Sequence, residues 1–449
     1  MSCRIAAWCL AFAVLMLHVR VGLTDQPPSA AEQERDDCAD LLKLFVETFT
    51  EVERNYADAI DRRELMEAAI EGMLAKLDQH SGYIAPAELE EFRRGVDSEF
   101  GGIGVQVMMV DGRLTIVSPI LDSPAYQAKL KAGDVITKVD GRSTQDLSLS
   151  EAVKLLKGRL GSSVELTVTG SEEDRPNTIT LVRENVRLRT VRGGRRKQDD
   201  SWDYMYDHEL GIAYVRITTF SRYTVRELRA TMDELSARPL SGLILDLRSN
   251  PGGLLSSAIE VSDMFVEEGV IITTSGRDIE TRSWHAHKAG TYTGFPMAVI
   301  VNRFSASASE IVAACLQDHG RAVVVGQQTW GKGTVQNVVG LEDGRSALKL
   351  TTAKYLRPSG KVIDRVKDDP GVSDWGVVPD EGLEFRLSDA DAVRLERQRQ
   401  TQDLIVQQPS ADDVNSVEME DRQFGIALEY MIAEVARARG ERAIAESNP

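Results

Sequence analysis

Cysteine is scarce: there are four in 449 residues, and two of them, Cys3 and Cys9, lie at the extreme N-terminus. The two in the body, Cys38 and Cys315, make no disulfide framework, and no CxxC spacing offers metal ligands. Aromatic residues are few, at 6%. Excess positive charge is lacking as well. With 53 Lys and Arg against 70 Asp and Glu the net charge is −17, which would repel a polyanion and excludes nucleic acid as a partner. The exception is the basic stretch Arg187–Lys197, read here as a solvated connector. No apolar run reaches the about 20 residues of a membrane-spanning helix. The longest near the start, Ile5–Leu17, has 13 residues, follows Arg4 and precedes polar Thr24–Pro28. That pattern fits a secretory signal. No small-x-small cleavage site follows, so residues 1–25 are either a signal peptide or an N-terminal membrane anchor.

What is present falls into segments of different texture. Apolar residues recur at helical spacing from Leu41 to Leu77, giving an N-terminal helical region over 36–90 that ends in the turn Asp78-Gln79-His80-Ser81-Gly82. Short strands separated by glycines follow, with a hairpin around Asp111-Gly112, and form a β-rich module over 95–185. Strands and helices alternate across 200–385, the α/β texture of a mostly parallel sheet. A C-terminal helical segment, 410–445, carries the stripe Phe424, Ala427, Leu428, Met431 and Val435. The helical ends suit a homo-oligomer or an activating partner, although such helices more often pack on their own domain.

Three loops at strand C-termini gather the chemistry. In Asp246–Gly253, the paired Gly252 and Gly253 let backbone N–H groups approach a ligand closely, as an oxyanion hole requires; a plain strand-to-helix turn reads the same way. In Asn302–Glu310, small residues crowd a strand-to-helix turn around Ser307, which is either an exposed nucleophile or the N-cap of an S-x-x-E capping box. In Thr329–Gln336, Lys332 sits between two glycines. It is either a solvent-exposed loop lysine or one packed into the site and desolvated, which loses its proton readily and can act as a base. Alternation along an extended 333–338 puts Lys332, Thr334 and Gln336 on one side, so that Gln336 orients the amine. His285 and His287 lack a third ligand or an HExxH frame, His319 suits a helix C-terminus, and Cys315 reads as core.

Taken in order, these motifs resemble the carboxyl-terminal processing peptidases, tail-specific serine proteases with an inserted PDZ domain. The resemblance runs from about Leu41 to Asp380 and rests on Phe100–Val105, Lys131-Ala132-Gly133-Asp134, Asn250-Pro251-Gly252-Gly253, Ser305–Glu310 and Gly331–Gln336, with Thr351–Tyr355 and Pro358-Ser359-Gly360. It implies a crotonase-like β/α protease core, an inserted PDZ domain, and helical N- and C-terminal segments. It makes Ser307 the nucleophile, Lys332, 25 residues on, the base, and Gln336 its support. Ala308 and Gly253, or its neighbour Gly252, would supply the oxyanion hole. Gly101, Gly102, Ile103 and Gly104 would hold the carboxylate of a substrate's C-terminal tail in a nest of N–H groups. Trp330 stands where the family usually has phenylalanine, walling the lysine pocket. The expected activity is serine endopeptidase cleavage near C-termini, in the periplasm or cell envelope, with protein or peptide substrates and neither cofactor nor metal. A noncatalytic PDZ scaffold would not need Ser307 and Lys332 together. A crotonase-like acyl-CoA enzyme would lack the β-module and the export signal. The acidic stretch Asp364–Asp374 has no assigned role.

Overall fold

The structure is a computed structural model that describes residues 30–170, 175–277, 280–365, 375–405 and 420–447. The expected signal segment, and all of the acidic stretch beyond Asp364 and Arg365, lie outside the described residues. Among the described residues no helix is long and apolar enough to cross a membrane.

The chain divides into two units, residues 1–73 and 74–449. The first is helical, with α1 (Ala30–Asn55) and most of α2 (Arg62–Leu74), and Arg62 pairs with Glu53 at the turn between them. Along α1 the side chains of Leu41, Leu42, Leu44, Phe45 and Val46 are exposed.

The second unit opens with β1 (Gly82–Ile84) and α3 (Leu89–Val96). A β-rich module follows, comprising β2 (Glu99–Gly102), β3 (Val105–Val110), β4 (Arg113–Pro119), α4 (Pro124–Gln127), β5 (Val135–Val139), β6 (Arg142–Ser143), α5 (Leu149–Leu156), β7 (Ser163–Thr169), β8 (Pro176–Val182) and β9 (Glu184–Arg187). Its main sheet runs β3-β4-β5-β7-β8, with β6 on β5, while β2 pairs with β9. Alternation in β4 turns Leu114 and Ile116 into a separate core with Ile136, Val164 and Leu166. Local chemistry sets the helix starts: the Ser123 hydroxyl accepts from the Tyr126 amide, and Ser148 and Glu151 form a reciprocal cap.

The short strands β10 (Val191–Arg192), β11 (Arg195–Arg196), β12 (Trp202–Asp203) and β13 (Met205–Asp207) lead into the α/β core. Its elements are β14 (Ile212–Ile217), α6 (Thr224–Ser236), β15 (Gly242–Asp246), α7 (Leu255–Asp263), β16 (Val270–Ser275), β17 (Arg282–His285), β18 (Met297–Val301), α8 (Ala308–Asp318), β19 (Val323–Gly326), β20 (Thr334–Leu341), β21 (Ser346–Leu356), α9 (Asp389–Asp403) and α10 (Arg422–Ser447). Strands β14, β15, β18 and β19 are parallel neighbours in that order. Leu243 and Leu245 face α6, α7 and α8, whereas Ile244, Ala298, Ile300 and Val325 face Ala427, Met431 and Val435 of α10. Continuous apolar runs, buried at every position, are what a parallel sheet covered on both faces requires. A second, antiparallel sheet runs β1-β21-β16-β17, with β20 on β21.

The basic stretch departs from its expected role. It is not a solvated connector: Arg192 and Arg216 both pair with Asp403 at the end of α9, Arg187 pairs with Glu227, and Arg196 stacks over Trp202. The α/β region holds enough carboxylate to pin these guanidinium groups, and a count of charge along the chain does not show that pairing.

One buried network fixes the end of β15. Asp246 is fully buried and accepts from Arg248 Nη2 and the Tyr214 hydroxyl, each at 2.7 Å, and from Arg399 of α9. Arg248 also reaches Asp421, beside α10, at 2.7 Å. Burial alone would raise the Asp246 pKa, but the two guanidinium groups hold it well below the usual carboxylate range. A depressed folded-state pKa contributes stability above the unfolded value and loses it as pH falls. Asp246→Ala leaves buried Arg399 without its carboxylate and Arg248 with Asp421 alone, and denaturant unfolding at neutral pH is expected to show a loss of about 3–5 kcal/mol. The gap between the two proteins should close as pH falls below about 4; a gap unchanged by acid would remove the ion pair as its cause.

Candidate active site

The three loops expected to carry chemistry follow β15, β18 and β19, at one end of the parallel sheet. Asn250 joins the first two. Its side chain donates to the Ile217 carbonyl at 2.8 Å and accepts from the Gly252 amide at 2.9 Å, and its carbonyl accepts from Ala306 N at 3.0 Å. The Asn302 side chain accepts from Ser249 N at 2.9 Å.

The serine triplet is not equivalent. Ser305 donates to the Leu247 carbonyl at 2.8 Å and Ser309 to the Asn250 carbonyl at 3.0 Å, and both are fully buried. Ser307 keeps 7% of its surface, and its hydroxyl is committed to neither loop carbonyl. Burial pushes the Tyr355 phenol up to about 12, and the Ser307 hydroxyl opposes that rise. Ser307 holds φ 55° and ψ −112°, a strained conformation for a residue with a Cβ. It starts α8, so the N-cap and nucleophile positions coincide.

Glu310 is the residue whose part the sequence did not show. Fully buried, its carboxylate accepts four hydrogen bonds: from Ser307 N at 2.7 Å, Thr329 Oγ1 at 2.5 Å, Gly331 N at 2.7 Å and Lys332 N at 2.9 Å. One side chain thus ties the serine loop to the lysine loop. Burial raises its pKa, and these donors oppose the rise. The local pattern S-x-x-E signals only the cap, because the other three donors lie 19 to 22 residues away.

Lys332 is partly buried, and no partner for its amine is found among the described residues. Burial first, then the charge of Lys349, lowers its pKa, while Glu310 opposes. His80 shares this environment: burial and the Lys332 charge lower its pKa. It escaped the sequence reading because its turn looked like punctuation. The other histidines lie elsewhere, with His287 paired to Asp263 and the His319 ring bonded to the Val270 carbonyl. Cys315 is core, its thiol pushed up to about 12 by burial. Trp330 is half exposed; Trp375 is the aromatic that closes on Gly331, its ring 2.7 Å from where a Cβ would stand.

Gln336 and Thr334 share a side, since Gln336 Nε2 donates to Thr334 Oγ1 at 2.8 Å, despite a register shift between Val335 and Gln336. Ala308 N and Gly253 N donate to nothing within the described residues, whereas the Gly252 amide is taken by Asn250. Gly253 has φ +141°, and a Cβ there would stand 2.1 Å from the Phe220 carbonyl oxygen.

In the β-module, the expected three-glycine nest is smaller. Gly101 and Gly102 are extended in β2, paired with Asn185 and Glu184, so their N–H groups cannot curl toward one point. The turn is confined to Ile103 and Gly104, whose amides donate to nothing among the described residues. Gly104 has φ +78°, with Ser123 Cβ 2.1 Å from where its own Cβ would be.

Residues 211–381 match the model of peptidase family S41, and residues 115–169 match that of the PDZ domain. The chain is 38% identical over 336 residues to the carboxy-terminal-processing protease of Bartonella bacilliformis, covering 74% of each chain. This chain belongs to peptidase family S41. It is also 33% identical over 383 residues to the carboxy-terminal processing protease CtpB of Bacillus subtilis, with 82% of this chain and 76% of that one covered. A carboxyl-terminal-processing protease of Synechocystis is 31% identical over 401 residues, covering 85% and 88%. The protein is a peptidase of the carboxy-terminal processing kind, with the S41 fold and a PDZ domain.

Two substitutions probe this frame. Glu310→Ala strips four donors of their acceptor, at about 1–3 kcal/mol for each one left buried and unsatisfied. It should lower the thermal midpoint and abolish peptidase activity. Gly253→Ala must displace its loop and should cost most of the activity even where the protein stays folded by circular dichroism. Normal turnover in either variant would mean that the loops hold their places by other contacts.

Proposed function

We propose that this peptidase is a serine endopeptidase with a Ser307/Lys332 dyad that cuts proteins near their C-termini. The observation that carries the reading is the unequal use of the serine triplet. Two hydroxyls are committed to loop carbonyls, and the third stands at a strained turn that Glu310 ties to a desolvated lysine. Neutral Lys332 takes the proton of Ser307 as its oxygen attacks the peptide carbonyl. The N–H groups of Gly253 and Ala308 receive the oxyanion, and the occupied Gly252 amide does not. Protonated Lys332 then gives its proton to the leaving amine, and water, deprotonated by the same lysine, releases the acyl group. Gln336 orients the amine.

In this reading the PDZ domain, within residues 95–185, takes the substrate's C-terminal tail as an added strand, its carboxylate at the free amides of Ile103 and Gly104. The core spans 200–385, between helical regions at 36–90 and 410–445. The N-terminal segment 1–25 directs export to the periplasm or cell envelope, as a signal peptide or anchor. The exposed apolar residues of α1 suit a second copy or an activating partner.

Ser307→Ala and Lys332→Ala should each lower kcat by at least about a thousandfold, with the double variant scarcely worse, because the two act as a unit. Fluorophosphonate should label wild type and spare Ser307→Ala; labelling that survives the substitution would sink the nucleophile. Activity should rise with pH as Lys332 loses its proton, with an inflection below the ordinary lysine value of about 10.4. Lys349→Met removes a like charge, so the Lys332 pKa should climb and the inflection move to higher pH. An inflection that ignores both lysines would point to another base. For tail recognition, one peptide is compared as free acid and as amide. A higher kcat/KM for the acid is expected, and equal values would leave the β-module without that role.

A further inference from the structure

We propose that Asp364 is a positioning residue for the reaction, fixing the backbone turn that carries Lys332. This rests on the reading of Lys332 as base and adds to it a residue from outside the three loops.

The turn Gly331-Lys332-Gly333 is loose by composition. Glycine gives up more conformational freedom on folding than any other residue, and two of them flank the lysine. Neither neighbour has a side chain to hold the turn, so bonds to its backbone must do so. Five of its six backbone N–H and C=O groups are bonded. Gly331 N and Lys332 N donate to Glu310 at 2.7 and 2.9 Å. Gly331 O accepts from Arg365 N at 2.9 Å, and Gly333 O accepts from Tyr355 N at 2.7 Å. Gly333 N donates to Asp364 Oδ1 at 3.3 Å. Glu310 thus holds the entering side of the turn, and Asp364 holds the amide at its exit. Among the described residues, these two carboxylates are the side chains that bond the backbone of the turn.

The segment that carries Asp364 lies directly on the turn. A Cβ on Gly333 would stand 2.1 Å from the Asp364 amide nitrogen. One on Gly331, where φ is +83°, would stand 2.7 Å from the Trp375 ring and 2.8 Å from Arg365 Cβ. There is room for nothing larger than glycine on either side of Lys332. Asp364 is itself held. Its Oδ2 pairs with Lys354 Nζ at 3.5 Å, and Lys354 stands opposite Thr334, the first residue of β20. The preceding Ile363 is fully buried, and its carbonyl accepts from Gly376 N at 2.9 Å. The first residue of the acidic stretch therefore belongs to the support of the lysine turn. Its effect is on aim, since a displacement of about 1 Å from the reacting geometry can cost about a hundredfold in rate.

The test compares Asp364→Ala with Asp364→Asn in the full chain, measuring kcat, KM and the pH profile of kcat for one unstructured peptide. Both variants lose the charge, and only Asn keeps an oxygen for the Gly333 amide. Asp364→Ala should lower kcat by about tenfold or more at nearly constant KM, and Asp364→Asn should stay within about threefold of wild type. The pH profile should separate them as well. Burial and Lys349 keep the Lys332 pKa low, Glu310 opposes, and His80 faces the same amine. A loosened turn admits water and raises that pKa, so the inflection of Asp364→Ala should lie at higher pH than that of Asp364→Asn. Where Asp364→Ala lowers the folded fraction, Trp375→Ala serves: it removes the ring against Gly331, leaves every hydrogen bond of the turn, and should lower kcat at constant KM. Equal kcat and equal inflections in the Ala and Asn variants, or a loss that appears in KM alone, overturn the proposal. The wider reading fails separately. If Lys332→Ala is inactive while Asp364→Ala turns over normally, only the present inference falls; if Lys332→Ala keeps full activity, the base assignment falls and this inference with it.

Discussion

A single buried carboxylate holds the loop end of the parallel sheet together. Glu310 meets four donors from two loops, three backbone amides and one hydroxyl, none of them a cation. Its charge is balanced by oriented backbone dipoles, including those of the α8 N-terminus where it sits. Such a group is stable only if every donor stays in place, so the serine turn and the lysine turn move together or not at all. The strained backbone of Ser307 fits that arrangement, because surrounding bonds over-determine it.

The parallel sheet supplies the platform. Its four parallel strands end at one edge, and side chains from one loop bond the backbone of the next: Asn250 and Ser305 donate to the carbonyls of Ile217 and Leu247, and Asn302 accepts from the Ser249 amide. The triplet of serines therefore divides its labour, with the outer two hydroxyls bonded to loop carbonyls and the middle one bonded to neither. Behind the sheet edge, Arg248 and Arg399 lock the segment entering the glycine pair to the C-terminal helices.

Much of this was legible along the chain. The alternation of apolar strands with amphipathic helices located β14, β15, β18 and β19 and the helices between them, because both faces of that sheet are covered by contiguous stretches. Helix α9 gave no signal: Asp389–Asp403 is polar nearly throughout, and it docks through Leu395 and the ion-paired Arg399 rather than through a stripe. The β20–β21 hairpin and the β16–β17 pair were missed because half-exposed strands with many polar residues resemble loops. The glycines of the β-module misled for a related reason. Three glycines allow a nest, but pairing with β9 pulled two of them straight. Of the candidate site, Ser307, Lys332 and the glycine loop stand out as local motifs. Glu310 reads only as a cap, since its other three donors are partners that only the fold brings near.

The lock between Arg248 and Asp421 also bears on timing. Arg248 belongs to the segment that leads into the glycine pair, whereas Asp421 lies 173 residues further along the chain, just before α10. Domains fold as their chains emerge, N-terminal parts first. Until α10 has left the ribosome, one face of the parallel sheet lacks its cover and Arg248 its second carboxylate. The nascent chain therefore carries the strands of that sheet for well over a hundred residues of synthesis before the segment beside the glycine pair can be clamped.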